Sequence, residues 1–313
     1  MTTTELSNFI LEQAHLLDFD VCGFAKAEPL PESERNLFEK WLDAGKNGEM
    51  AYMANHLEKR MDPTLLVDGC KSVVVVALNY FPEREQKSAA FKVARFAYGQ
   101  DYHFIIRGKL QQLLQALNKV YAPVKGRAFC DSAPIAERYW AEKAGLGWIG
   151  KNQQLIVPFK GSYVLLGILL IDKELDYNSV AIENRCGHCM RCQKACPTGA
   201  LDCNGLDGRK CLSYLSIEKK GAFSEAESAL MEKNNWIFGC DICQEVCPWN
   251  RFSKPNTQDA LQPSTPFLEL RRTDYYHLNE DRFSAIFSGT CVERTRFEGL
   301  LRNIHAKKKP DTF

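Results

Sequence analysis

The sequence predicts an α/β domain over residues 1–175, with a mixed sheet covered by helices. A small cysteine-rich domain over 176–250 and a short helical extension over 251–313 follow it. Three observations predict this order. Strand-like and helix-like patterns alternate through the first part of the chain. Nine of the thirteen cysteines crowd between Cys186 and Pro248. After Trp249 the chain is rich in proline and aromatic residues as far as Phe267, and helical periodicity then returns.

Leu6, Phe9, Ile10, Ala14 and Leu17 recur at helical spacing and predict an amphipathic helix over 4–17. Val21 to Ala25 reads as a short buried strand, and a helix is expected around Asn36 to Ala44. Val73 to Leu78 is an unbroken, mostly β-branched run of the kind buried on both faces of a sheet. Lys125–Phe129, Leu155–Val157 and Tyr163–Ile171 complete the strands, with helices at His103–Val120 and Pro134–Ala144 between them. Late helices are expected at Asp281–Phe287 and Arg294–Ile304. Neither GxGxxG nor GxxxxGK[ST] occurs, so nucleotide binding by those fingerprints is unsupported.

At 313 residues and 45% hydrophobic content, the chain can bury a substantial core in two domains. Its net charge of +1 gives no global pull toward nucleic acid, so such a partner would need a local basic face. The first residues carry Glu5, Glu12, Asp18 and Asp20 rather than a basic start and an apolar core, and no signal peptide is expected. The longest apolar run, Tyr163 to Ile171, contains Gly167 and is about half the length that spans a bilayer. A cytoplasmic protein with no membrane partner is therefore expected, and so many unpaired thiols fit a reducing compartment.

The cysteine-rich stretch opens Cys186-Gly-His-Cys189-Met-Arg-Cys192-Gln-Lys-Ala-Cys196-Pro197 and closes Cys240-Asp-Ile-Cys243-Gln-Glu-Val-Cys247-Pro248. The first run has the bacterial ferredoxin spacing, in which one loop offers three thiolates to three irons of a cubane. The fourth iron is held from the other motif, by the cysteine before proline. Cys186, Cys189, Cys192 and Cys247 are thus expected to hold one [4Fe–4S] cluster, and Cys196, Cys240 and Cys243 a second. That set is one short. Cys211, which opens an amphipathic helix start, is chosen over Cys203, which lies in an expected turn. Structural zinc would want paired CxxC knuckles in sets of four, and a disulfide framework suits a short secreted chain. Cys22, Cys70, Cys130 and Cys291 are expected to be small buried apolar residues.

A ferredoxin needs only its clusters, yet some 175 residues precede them here. Clusters move single electrons, so coupling them to organic chemistry calls for a second cofactor. Two stretches are candidates for its seat. Cys130-Asp131-Ser-Ala-Pro134 displays an acid at a strand end before a helix, where it is either functional or the helix N-cap. Ala144-Gly-Leu-Gly-Trp-Ile-Gly-Lys151-Asn152 either permits close approach of a bulky ligand or makes a tight loop.

With the clusters, these stretches resemble the epoxyqueuosine reductase family, the cobalamin-dependent iron–sulfur enzymes of tRNA queuosine synthesis. Further matching pieces are Glu58-Lys-Arg60 before Asp62-Pro63, Gly99-Gln-Asp-Tyr102-His103, Gly161-Ser-Tyr163, Cys211-Leu-Ser-Tyr-Leu215, Phe238-Gly-Cys240-Asp241 and Gly299-Leu-Leu-Arg302-Asn303. The resemblance covers almost the whole chain. It implies a fold related to reductive dehalogenases, with cobalamin between the α/β domain and two [4Fe–4S] clusters. It implies reduction of epoxyqueuosine at the wobble position of a tRNA anticodon stem-loop, with Asp131 as proton donor. By position it puts Arg60, Asp131, Lys151, Leu155, Leu212 and Asp241 around the corrin and Lys219 near the RNA. It also implies a monomer fed by an external low-potential electron donor. Many members continue into a helical-repeat segment, whereas this sequence stops at Phe313. Arg302, Lys307, Lys308 and Lys309 would then carry more of the phosphate contacts, although a solvated end is the preferred reading of the three lysines by themselves. Two rivals stand beside this reading: a dehalogenase-like enzyme acting on a small molecule, and a plain electron carrier. Absence of a twin-arginine signal disfavours the first, and the second predicts no role for Asp131.

Overall fold

The computed structural model describes residues 2–121, 123–177 and 182–307. Its centre is a four-stranded sheet built from Val21–Lys26, Ser72–Asn79, Val164–Ile171 and Gly126–Phe129, in that spatial order. Every neighbouring pair in it is antiparallel. The expected mixture of strand directions lies between sheets, because the parallel pair is a separate one, Lys92–Val93 with Trp236–Phe238. An unbroken apolar run reports burial on both faces and says nothing of direction.

Alternation along Ser72–Asn79 shows how both faces are used. Val74, Val76 and Leu78 pack with Ile10 of the Thr3–Leu16 helix and with Ile106, Leu110 and Leu113 of the Tyr102–Tyr121 helix. Val73, Val75 and Ala77 face the other way, onto Trp140 and Ala141 of the Glu137–Lys143 helix. Gly167 sits at the closest helix–sheet approach: a Cβ there would lie 2.5 Å from Ile106 Cγ2 and 3.0 Å from Leu110 Cδ1. Leu155–Ile156, expected as a strand, pairs with Trp148–Ile149 in its own hairpin outside the main sheet.

The cysteine-rich stretch consists of loops and short helices, Arg191–Ala195, Leu212–Ile217, Glu225–Glu232 and Ile242–Glu245. Its apolar centre is Leu212, Tyr214, Leu215, Met231 and Trp236. The parallel pair ties it to the first half of the chain. The last segment joins the main core, since Leu261, Phe267, Tyr275, Phe287, Leu300 and Ile304 pack in the same group as Val74 and Ile106. No described helix is long and apolar enough to cross a membrane.

Candidate active site

Asp131 owes its position to the end of the Gly126–Phe129 strand. Cys130 is buried with Sγ 3.3 Å from the Leu166 carbonyl oxygen, and Asp131 then turns at φ +50°, in the left-handed region. Its backbone N–H donates to Glu137 Oε1 at 2.7 Å, and its side chain remains 54% exposed. It is no helix cap, because the next helix begins at Glu137 with Ala136 as N-cap. The Tyr102 hydroxyl donates to Asp131 Oδ2, and His103 Nε2 stands 4.0 Å from that oxygen. The His103 ring stacks on Tyr102 with centroids 4.2 Å apart. Its Nδ1 lies 2.5 Å from Asp101 Oδ1, which directs Nε2 toward Asp131.

The surroundings sort these groups by protonation. Burial, then the charge of Asp131, pushes Glu137 well above the ordinary carboxylate value. The same two causes keep Tyr102 a hydroxyl donor. Burial works against ionisation of Asp101, but hydrogen bonds from His103 outweigh it and hold Asp101 below its usual value. One partly exposed carboxyl is thus held by a hydroxyl and faced by an oriented imidazole, with the half-buried Glu137 carboxyl behind it. Such a group can give a proton to a reacting atom that meets its exposed face.

The glycine-rich stretch resolves to a tight loop. Gly145, at φ +74°, caps the Glu137–Lys143 helix. A Cβ on Gly147 would meet the Ile156 carbonyl oxygen at 2.1 Å, so the hairpin itself requires that glycine. Lys151 Nζ donates to the carbonyls of Gly187 at 2.7 Å and Cys189 at 3.1 Å, tying this loop to the first cysteine loop. Arg60 Nη2 donates to the Tyr52 carbonyl at 3.3 Å. Arg60 Nε and Asn152 Nδ2 are buried without a hydrogen-bond partner among the described residues. Leu155 and Leu212 are buried against the protein's own core. The Asp241 carboxylate accepts from Arg95 N at 2.9 Å and Arg95 Nη1 at 3.2 Å. Burial nevertheless raises Asp241 to about 6.

None of the thirteen cysteines is joined in a disulfide. Cys192 feels the charge of Cys186 and Cys247, and Cys247 that of Cys186 and Cys189. Cys240 feels Cys211 and Cys196, and Cys243 feels Cys240 and Cys211 and, after them, Cys192 of the neighbouring set. The structure therefore gathers Cys186, Cys189, Cys192 and Cys247 into one group and Cys196, Cys211, Cys240 and Cys243 into another. Each is a set of four sulfurs of the kind that holds a cubane. Cys203 is exposed on the turn between Leu201–Asp202 and Gly205–Leu206.

The basic residues expected at phosphate differ in their engagement. Lys219 Nζ pairs with Glu49 and lies 3.9 Å from Glu227. Arg302 Nη1 donates to the carbonyls of Lys219 at 2.7 Å and Gly221 at 2.9 Å, and Nη2 to Leu215 O at 3.1 Å. Its charge shapes the loop that carries Lys219. Lys307 is 4% exposed, with Nζ donating to the Met231 carbonyl, so neither a phosphate contact nor a solvated end describes it. Its amine satisfies the Met231 carbonyl near the end of the Glu225–Glu232 helix and donates to Asn234 Oδ1 at 3.3 Å. Lys308 and Lys309 lie outside the described residues.

Sequence reasoning missed Tyr102, His103 and Glu137 as partners of Asp131. Tyr102 and His103 stood in a quoted motif, but only the fold brings them to the end of a strand that follows in sequence. Arg95 was also missed; it joins Asp241 to Glu85 and Glu245, each at 2.9 Å.

Comparison with known proteins agrees with this arrangement. Residues 60–132 match the family described as "Epoxyqueuosine reductase QueG, DUF1730", and residues 185–250 match "4Fe-4S double cluster binding domain". An epoxyqueuosine reductase of Cyclobacterium marinum is 46% identical, over 98% of this chain and 99% of that protein. One from Escherichia coli is 38% identical, over 92% of this chain and 76% of its own. Among solved structures, an epoxyqueuosine reductase with an epoxyqueuosine-modified tRNA stem loop matches at TM-score 0.86 and 28% identity, covering 97% of this chain and 81% of that one. The reductive dehalogenase NpRdhA shares the fold at TM-score 0.50 and 15% identity, covering 97% of this chain and 38% of its own. With near-complete coverage of relatives well above 30% identity and both halves matched by the corresponding family descriptions, the chain belongs to the epoxyqueuosine reductase family.

Proposed function

We propose that this chain reduces epoxyqueuosine in the anticodon loop of tRNA to queuosine, with Asp131 as the proton donor. The reaction removes the epoxide oxygen as water and leaves an alkene, consuming two electrons and two protons. The observation that carries the assignment is the Asp131 carboxyl, half exposed at a strand end and held by the Tyr102 hydroxyl. An oxygen leaving carbon must be protonated, and a fixed acid at hydrogen-bond distance supplies that proton. Tyr102 fixes the carboxyl, Asp101 fixes His103, and Glu137 closes the site from behind.

The residues fit cobalamin. Arg60 Nε and Asn152 Nδ2 are buried donors without a protein partner, suited to the amide carbonyls around a corrin. When bound, cobalamin supplies the electron-rich chemistry at carbon that clusters cannot. Arg60, Lys151 and Asn152 would hold it through side chains. Leu155, Leu212 and Asp241, whose side chains are spent on the protein, would meet it through backbone. Two [4Fe–4S] clusters on the two cysteine sets would feed it one electron at a time, and Lys219 would meet the RNA backbone at the rim. The same reading makes this an enzyme of the reducing cytoplasm.

The test is anaerobic reconstitution with iron, sulfide and cobalamin, followed by nucleoside mass spectrometry of an epoxyqueuosine-containing tRNA stem-loop. Conversion that requires both cobalamin and a reductant supports the proposal. A loaded protein that converts nothing overturns it and returns the dehalogenase-like reading.

A further inference from the structure

The two cysteine groups differ in their access to the outside. Cys211 and Cys240 pack against the buried cluster of Leu212, Tyr214, Leu215 and Met231. The Leu212–Ile217 helix beside that group runs into Glu218, which pairs with Arg294. Tyr52, raised to about 12 by burial and then by Glu218, also feels Asp131. The other group, Cys186, Cys189, Cys192 and Cys247, sits under an exposed loop. Arg185, Gly187, His188, Met190, Arg191 and Lys194 are all exposed, Met190 at 47%.

Two adjoining cavities open on this side. One of about 380 Å³ is lined by His188, Cys189, Met190, Arg191, Lys194 and Pro248. The other, of about 1020 Å³, shares Arg191, Lys194 and Pro248 and reaches Cys247, Glu245 and Arg251. The acids in it, Glu85 and Glu245, are already paired with Arg95. Among the described residues no carboxylate lies within ion-pair distance of Arg185, Arg191, Lys194 or Arg251. The result is a concave surface, net positive and carrying an exposed methionine, directly over two cysteines of one cluster set.

We propose that this face docks a small acidic one-electron carrier protein, which reduces the cluster on Cys186, Cys189, Cys192 and Cys247. The inference rests on the reductase reading above. Each docking oxidises the carrier by one electron and reduces that cluster by one, so two dockings serve one epoxide. Uncompensated cations on a recessed surface steer an anionic partner. They lie over Cys189 and Cys247 and share no residue with the Asp131 site, which favours a carrier over RNA.

The experiment measures anaerobic cluster reduction in the loaded enzyme by stopped flow, with photoreduced flavodoxin as the acidic carrier and methyl viologen radical as a small donor. For the Arg191→Glu/Lys194→Glu variant, the flavodoxin rate constant is expected to fall about tenfold or more at low salt and to lose its salt dependence. The viologen rate stays within about twofold, as for a change confined to docking. If the double variant binds less iron, Arg251→Glu is used, with a smaller fall expected by the same reasoning. Three outcomes overturn the proposal: an unchanged flavodoxin rate, an equal fall with both donors, or a loss of stem-loop affinity while the flavodoxin rate holds. Stem-loop conversion by the wild type with viologen tests the reductase reading separately, so failure of one is not mistaken for failure of the other.

Discussion

Arg302 separates a structural cation from an RNA-binding one, and Arg302→Met is the perturbation that tests the difference. The substitution keeps the apolar stem and removes donors to Leu215 O, Lys219 O and Gly221 O, together with the guanidinium that lies 4.2 Å above the Phe223 ring. A hydrogen bond to a charged group contributes about 1.5–3 kcal/mol. The Lys219 and Gly221 carbonyls lie on a loop that water reaches, so most of their share is recovered by hydration. The contacts at Leu215 O and at buried Asn303 Oδ1, 2.9 Å from Nη2, then dominate with the ring contact, and the loop should lose about 2–3 kcal/mol of local stability. That corresponds to about 30- to 150-fold more frequent opening, since about 1.4 kcal/mol is tenfold. Tryptic cleavage after Lys219 and Lys220 and amide exchange at Gly221 both read it. Stem-loop affinity should fall with its salt slope unchanged. Unaltered protection of the loop, together with a salt slope reduced by about one, would mean that Arg302 binds phosphate directly and would refute the reasoning.

Lys307→Met should leave stem-loop affinity and its salt slope untouched, as checked by titration at two salt concentrations. Burial, with Arg272 adding to it, pushes the Lys307 ammonium down to about 7 from an ordinary 10.5. The unfolded chain then binds more protons between those values, so wild-type stability gains on the variant as pH rises through that window, by at most about 1.4 kcal/mol per unit. Denaturant midpoints measured side by side at pH 7 and 9 check the sign. Gly167→Val should cost about 1–3 kcal/mol by forcing the Tyr102–Tyr121 helix off the sheet. Because Tyr102 and His103 open that helix, activity should fall in the protein that still folds. Cys211→Ser should bind about half the iron of the wild type, whereas Cys203→Ser should bind all of it, by iron analysis and low-temperature spectroscopy.

The parts of this fold that were legible in the sequence are those fixed by local pattern. The i, i+4, i+8 spacing of Leu6, Ile10 and Ala14 marks a helix because residues at that spacing share one face. The cysteine spacing marks two ligand sets because one loop can wrap only three corners of a cubane. Val73 to Leu78 revealed burial but not strand direction, since side chains alternate in the same way in either kind of sheet. The chemistry around Asp131 was half legible. Its own position at a strand end could be read, but Tyr102 reaches it only through the packing of a long helix on the sheet, with Gly167 allowing the approach. Lys307 was misread because a basic cluster near a chain end looks like a solvated tail, and only the tertiary fold shows the lysine buried with its amine on the Met231 carbonyl. The role of Arg302 was not legible for a related reason: a cation's sequence position does not say whether carbonyls or phosphates take its hydrogen bonds.

The most direct test of the central claim is single-turnover conversion of the epoxyqueuosine stem-loop by Asp131→Asn with clusters and cobalamin loaded. Asn keeps the size and accepts the Tyr102 hydrogen bond but cannot donate an acidic proton. The rate should fall about 10²- to 10⁴-fold, while iron content, the cobalamin spectrum and stem-loop affinity stay at wild-type values. A loaded variant that converts the stem-loop at the wild-type rate would contradict the assignment of Asp131 as the acid.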